Sequence, residues 1–115
     1  MGLEIKAVEK YIPMSPRKVR RVVDVVRERP VDEALALLGF LPQAAAKSVR
    51  KAIESAAANA EDVHGLSRSE LYISRITTDV GPMLKRYRAG ARGRAKPILK
   101  RSSHITVVLG ELEEE

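Results

Sequence analysis

The sequence predicts an α+β protein. Three stretches read as helices, three shorter ones read as strands by alternation or β-branched content, and a long basic segment separates the last two of these.

Leu3–Tyr11 (LEIKAVEKY) sets Leu3, Ile5 and Ala7 at period two against Glu4 and Lys6, which predicts a half-buried strand ended by Pro13. In SPRKVRRVVDVVRERP, Ser15 suits an N-cap and Pro16 a first helical residue, because proline lacks the N–H that would be unsatisfied there. Val19, Val22, Val23 and Val26 then line one face, and Pro30 is expected to stop the helix. A short helix over Val31–Leu38 follows, with Asp32 and Glu33 at its positive end and Gly39 as its expected stop. A longer helix is expected from Pro42 to about Ala60, with Ala45, Val49, Ala52, Ile53, Ala56 and Ala60 on one face and Asp62, His64 and Gly65 in the exit loop. Its small residues allow another element, expected to be the sheet, to approach closely. Leu71–Thr78 and Ser103–Leu109 read as the second and third strands, the latter with Ile105, Val107 and Leu109 on one face.

The connection between those strands exceeds 20 residues, more than a compact domain usually leaves without structure. From Val80 to Gly110 there are eight basic residues and no acidic one. Removing those eight from the chain's 21 leaves 13 basic against 15 acidic, so the whole excess of +6 lies in this segment. Such segregation concerns a partner more than a fold. An internal disordered loop could carry similar charge. Here, however, strands tether both ends, and Met83, Leu84, Tyr87, Ile98 and Leu99 provide packing. The expected form is an antiparallel hairpin extending both strands, with Gly81–Pro82 as its shoulder and Gly90 and Gly93 near its tip. Arms of about eleven residues would carry that tip roughly 35 Å outward. The 115 residues suit a single domain, with a body over 1–79 and 102–115 and a hairpin over 80–101.

Enzymatic chemistry finds no footing. His64 and His104 are the two histidines and lie far apart; cysteine is absent, excluding disulfides and thiolate metal sites and suiting a cytosolic protein. GARGRAKP lacks the spacing of a phosphate-binding nucleotide loop. No metal or cofactor is expected, and no signal peptide or membrane span. The polyanion-binding classes remain. Arg17, Lys18, Arg20 and Arg21 crowd the positive end of the first helix, where each cation costs a few tenths of a kcal/mol. They make either a solvated face or a dock whose bound phosphate offsets that cost. With 3% aromatic residues, base stacking is a poor main mode, so phosphates and shape should dominate. A stand-alone architectural nucleic-acid-binding protein could use a basic hairpin arm, but such arms usually carry an apolar wedge at the tip, and here Pro97 is off-centre. A membrane-surface binder would want an amphipathic helix with large apolar residues, whereas this basic segment is glycine-broken.

Several motifs in order, SPRKVRRVVD, ESAAANA, DVGPMLKR, ARGRA and KRSSHITVVLG, make the chain resemble the bacterial large-subunit ribosomal protein L-twenty-two family over essentially its whole length. The resemblance implies three helices packed on a small three-stranded antiparallel sheet, with a long protruding β-hairpin. It also implies a non-enzymatic constituent of the large subunit of the cytoplasmic ribosome that binds large-subunit rRNA, supports assembly and meets neighbouring ribosomal proteins. The hairpin tip would stand in the wall of the exit tunnel beside the nascent polypeptide; no membrane partner or homo-oligomer is expected. Carried over by position, Ser15, Arg17, Lys18, Arg20 and Arg21 would bind rRNA from the body. Lys85, Arg86, Arg88, Lys96, Lys100, Arg101 and His104 would bind it along the hairpin arms, and Gly90, Ala91, Arg92, Gly93 and Arg94 would line the tunnel. The chain departs from the family pattern at Ala89–Gly90, where proline and arginine are common, at Lys96–Pro97, and at Arg27–Pro30.

Overall fold

The computed structural model describes residues 4–82, 84–89, 93 and 95–112. Among them are three α-helices, α1 (Pro16–Val26), α2 (Val31–Phe40) and α3 (Ala44–His64). The strands are β1 (Glu4–Ile12), β2 (Leu71–Val80), β3 (Leu84–Ala89), β4 (Ala95–Lys100) and β5 (Ser103–Glu111), with a 3-10 turn over Arg68–Glu70. β1, β5 and β2 form an antiparallel sheet in that order, and β3 and β4 pair in a second, two-stranded sheet. This is the α+β arrangement that the sequence predicts.

β5 is the central strand, and Ile105, Val107 and Leu109 are fully buried, as their alternation requires. α3 lies over β1 and β5 and presents Ala45, Ala46, Val49, Ala52, Ile53, Ala56, Ala57 and Ala60 to the core. Because most of that face is alanine, the helix can sit close to the sheet, and any added methylene would have to displace a neighbour. The valine stripe of α1, Val19, Val22, Val23 and Val26, packs between β2 and α3. α2 closes the open side of α3 with Val31, Ala34, Leu35 and Leu38.

The element boundaries differ from expectation for local reasons. Ser15 stands at the N-cap of α1, but its hydroxyl makes no capping bond; its backbone carbonyl receives the N–H groups of Lys18 and Val19 at 3.1 and 3.3 Å. α1 ends at Val26, before Pro30, and the chain turns through Glu28 in the left-handed region at φ 64°. Pro30 instead precedes the first residue of α2. Gly39 does not stop α2, which runs on to Phe40. α3 starts at Ala44, two residues after Pro42, and keeps Asp62 and His64 helical; Gly65, at φ 68°, closes it by donating its N–H to the Glu61 carbonyl at 3.1 Å. Gly39 makes no such turn, so a glycine marks a helix end here only where a left-handed conformation follows.

The outer edge of β2 is occupied from α1 and the turn after it. The Arg20 and Arg27 guanidinium groups donate to the carbonyls of Thr78 and Ile76 at 3.3 and 3.2 Å. The Ile73 N–H bonds the Arg29 carbonyl at 2.9 Å, and Pro30 bridges to Tyr72. At the opposite edge of the sheet, β1 carries a register shift between Glu9 and Ile12, with Tyr11 at φ 59°.

Candidate nucleic-acid interface

The hairpin does not continue β2 and β5 as one ladder. The chain breaks at Gly81–Pro82 and Arg101–Ser102, and β3 and β4 then pair over six positions, from Leu84 opposite Lys100 to Ala89 opposite Ala95. The break is itself fastened. The Gly81 N–H donates to the Ser102 carbonyl at 3.0 Å, and the Ser102 hydroxyl donates to the Pro82 carbonyl at 2.6 Å. A Cβ at position 81 would collide with Ser102 Oγ and lie 3.2 Å from His104 Cε1, so only glycine fits without a shift. These contacts fix where the arms leave the body.

Beside this root lies a cleft of about 210 Å³ lined by Pro16, Arg17, Arg20, Val80, Arg101 and Ser102. A second cleft, of about 390 Å³, lies between α1 and the start of α3 and is lined by Met14, Lys18, Arg21, Gln43, Ala44 and Ala45. The four cations in the first turns of α1 therefore divide into two pairs. Arg17 and Arg20 join Arg101 at the hairpin root, and Lys18 and Arg21 face the N-terminus of α3. The first turn of α3 has no acidic residue and its N-cap makes no side-chain bond, so its free N–H groups add to the positive potential of that cleft.

These cations take no part in the ion pairs of the described surface. Arg27, Arg29 and Arg50 pair with Asp24, Glu33 and Glu54 at 3.4, 2.7 and 3.0 Å. Among the described residues, Arg17, Lys18, Arg20, Arg21 and Arg101 have no acidic partner. Arg20 is committed in part to the Thr78 carbonyl, so it both braces β2 and lines the cleft.

Of the other expected binding residues, Ser15 is half-buried at the head of α1, with its carbonyl engaged as above. Lys85, Arg86 and Arg88 lie in β3 and Lys96 and Lys100 in β4, with Arg88 and Lys96 at opposed register positions. Gly93 turns through φ 74°; Gly90, Ala91, Arg92 and Arg94 lie outside the described residues. His104 sits half-buried in β5, where its Nδ1 accepts the Tyr11 N–H at 3.0 Å and its ring meets Tyr11 edge-on, with centroids 5.1 Å apart. Gln43 and Ala44 matter here through the start of α3, and Ser102 through a partner across the hairpin root, relations that no local sequence pattern carries. Tyr11 looks like an ordinary strand residue in the sequence, since a bulge leaves little trace in a period-two pattern.

Among the described residues, no three histidine, acidic or cysteine side chains gather as a metal site, and no helix is long and apolar enough to cross a membrane. Fold and clefts define an α+β scaffold that displays unpaired cations around the base of a basic hairpin. Its sequence relationships give the family: residues 7–110 match the one described as Ribosomal protein L22p/L17e, and the chain belongs to it. It is 53% identical over 111 residues to a Synechococcus sp. protein (strain JA-2-3B'a(2-13)), covering 96% of this chain and 90% of that one. Identity is 51% over 109 residues with a Chloroflexus aggregans protein, covering 95% and 96%, and 49% over 112 residues with one from Desulforamulus reducens, covering 97% and 99%. All three are named Large ribosomal subunit protein uL22. The chain is thus a ribosomal protein, a structural constituent and not an enzyme.

Proposed function

We propose that this chain is a component of the large subunit of the cytoplasmic ribosome that docks on large-subunit rRNA through the two clefts flanking α1 and inserts its hairpin among RNA phosphates. The carrying observation is that Arg17, Lys18, Arg21 and Arg101 lack acidic partners among the described residues and line clefts on either side of one helix. Cations so exposed repel one another until phosphates enter, and counterion release then favours the complex. The body, 1–79 and 102–115, docks first; the hairpin, 80–101, adds the basic residues of β3 and β4, with His104 at its base. The tip, including Gly90, Ala91, Arg92, Gly93 and Arg94, stands in the wall of the exit tunnel beside the nascent polypeptide. The molecule's extent of 69 × 26 × 19 Å suits a chain that reaches inward from a docked body. Anchoring separate RNA segments at two clefts is also how it supports subunit assembly, and neighbouring ribosomal proteins meet the rest of its surface.

The test is binding to a structured rRNA fragment across a salt series, with duplex DNA at matched salt. Preference for the rRNA is expected, and Arg17→Ala or Lys18→Ala should each reduce the salt slope by about one. Equal or tighter binding to bent duplex DNA would instead support a stand-alone architectural protein, and a chain free of large subunits at low salt would end the ribosomal reading.

A further inference from the structure

Tyr11 is an outlier that neither the sheet nor the two clefts account for. Glu28, the other non-glycine residue with positive φ among those described, lies in an exposed turn after α1, where a left-handed residue is a common way to reverse a chain. Tyr11 lies inside β1, at φ 59°, in a region that bulky residues rarely occupy. Strained backbone of this kind persists only where its surroundings enforce it, and it concentrates at functional sites. Here the enforcement is visible. The bulge between Glu9 and Ile12 removes Tyr11 from the ladder, and its N–H is taken up by His104 Nδ1 at 3.0 Å. Accepting that bond leaves the imidazole proton on Nε2, which has no hydrogen-bond partner among the described residues. The Gly81 backbone passes beside the imidazole, close enough that a Cβ there would lie 3.2 Å from Cε1.

Yet this construction buries little of Tyr11. Its ring meets His104 at 87° and the residue remains 64% exposed. A large aromatic side chain held out from the protein by a fixed backbone offers a stacking surface. Its surroundings select the occupant. Gly81, which backs the imidazole, also lines the cleft of Arg17, Arg20 and Arg101. Gly81 is thus common to the cleft and to the imidazole against which Tyr11 packs, so a strand with a phosphate in the cleft would have the Tyr11–His104 pair as a neighbour. We infer that Tyr11 and His104 form a seat for one unpaired nucleobase of RNA, with the adjacent backbone phosphate held in the cleft at the hairpin root. The seat rests on the rRNA-docking reading and adds to its phosphate contacts one contact that requires a base to be unstacked from its own strand.

The test uses the full-length protein and a ten-residue oligoadenylate carrying a central 2-aminopurine, whose fluorescence is quenched by stacking. The wild type should bind and quench. Tyr11→Gly should weaken binding by about five- to hundred-fold, the range for one lost base–aromatic stack, and abolish the quench while the salt slope stays unchanged. Tyr11→Phe should keep most of both. Glycine accepts φ 59° without strain, so the melting temperature of Tyr11→Gly should hold or rise, which separates a lost contact from a damaged fold. Wild-type affinity and quenching in Tyr11→Gly would overturn the seat. So would an unchanged oligonucleotide affinity together with loss of a neighbouring protein from salt-washed subunits carrying that variant, since the ring would then be a protein contact. Failure of the wild type to bind either this oligonucleotide or structured rRNA, even at low salt, would reject the docking reading itself.

Discussion

Arg17 and Arg20 occupy one cleft but differ in their obligations. Arg17 is exposed and makes no ion pair among the described residues, so Arg17→Ala should change the melting temperature little while weakening RNA binding. Arg20 also supplies the Thr78 carbonyl with a donor, and Arg20→Ala should cost about 1 kcal/mol of stability as well as affinity; thermal melts beside binding curves will show the split. A second test lies in the side chain of the same residue. Thr78 Oγ1 is buried without a hydrogen-bond partner, although the residue sits in a strand where a β-branched shape is wanted. Thr78→Val keeps the shape and removes the unmet hydroxyl, so denaturant unfolding should show unchanged stability or a gain of up to about 1 kcal/mol. A clear loss would mean that the hydroxyl finds a partner in solution.

Among the elements, α3 has the least tolerance. Ala52, Ala56 and Ala60 are fully buried on the face toward the sheet, and Ala56→Leu should cost about 1–3 kcal/mol through overpacking, measured by denaturant unfolding. That face was legible in the sequence because helical period and residue size act locally and agree. The strands were legible for the same reason: Ile105, Val107 and Leu109 alternate in a strand with pairing partners on both sides. Helix ends were less so. Pro30 and Gly39 carry breaker chemistry, but α1 had already ended at Val26, and Gly39 keeps helical geometry with nothing demanding a left-handed turn there. The site divided similarly. The cations of α1 stood out by their number, whereas their separation into two clefts depends on the start of α3 and on the hairpin root, both remote in sequence. At that root, Gly81→Ala should lower the melting temperature and loosen the exit of the arms, read as faster proteolysis in the 80–101 segment, because the new methyl displaces Ser102 Oγ.

For the whole molecule, the two sheets imply two separable jobs. β3 and β4 pair with each other in a sheet of their own, while the core runs through α1, α2, α3 and the β1–β5–β2 sheet. Replacing residues 85–100 with a short glycine-rich turn should therefore leave a body that unfolds cooperatively and still binds RNA through the clefts, with a smaller salt slope. Loss of cooperative melting in that deletion would show that the hairpin is needed for the fold. The isolated hairpin should have little stability of its own, since two-stranded sheets are marginal in water and the LKRYRA and AKPILK segments carry five cations and no acidic residue.

The closure of β2 by α1 bears on the time before assembly. A ribosomal protein is made apart from the RNA that will neutralise it and must survive as a free polypeptide. An open strand edge in that interval would offer a template to other chains. Here Arg20, Arg27 and the Arg29 carbonyl occupy one edge of the sheet, and at the other β1 is bent by its bulge and exposes Glu4, Lys6 and Lys10. α1 and the turn after it thus also guard the unassembled chain against aggregation.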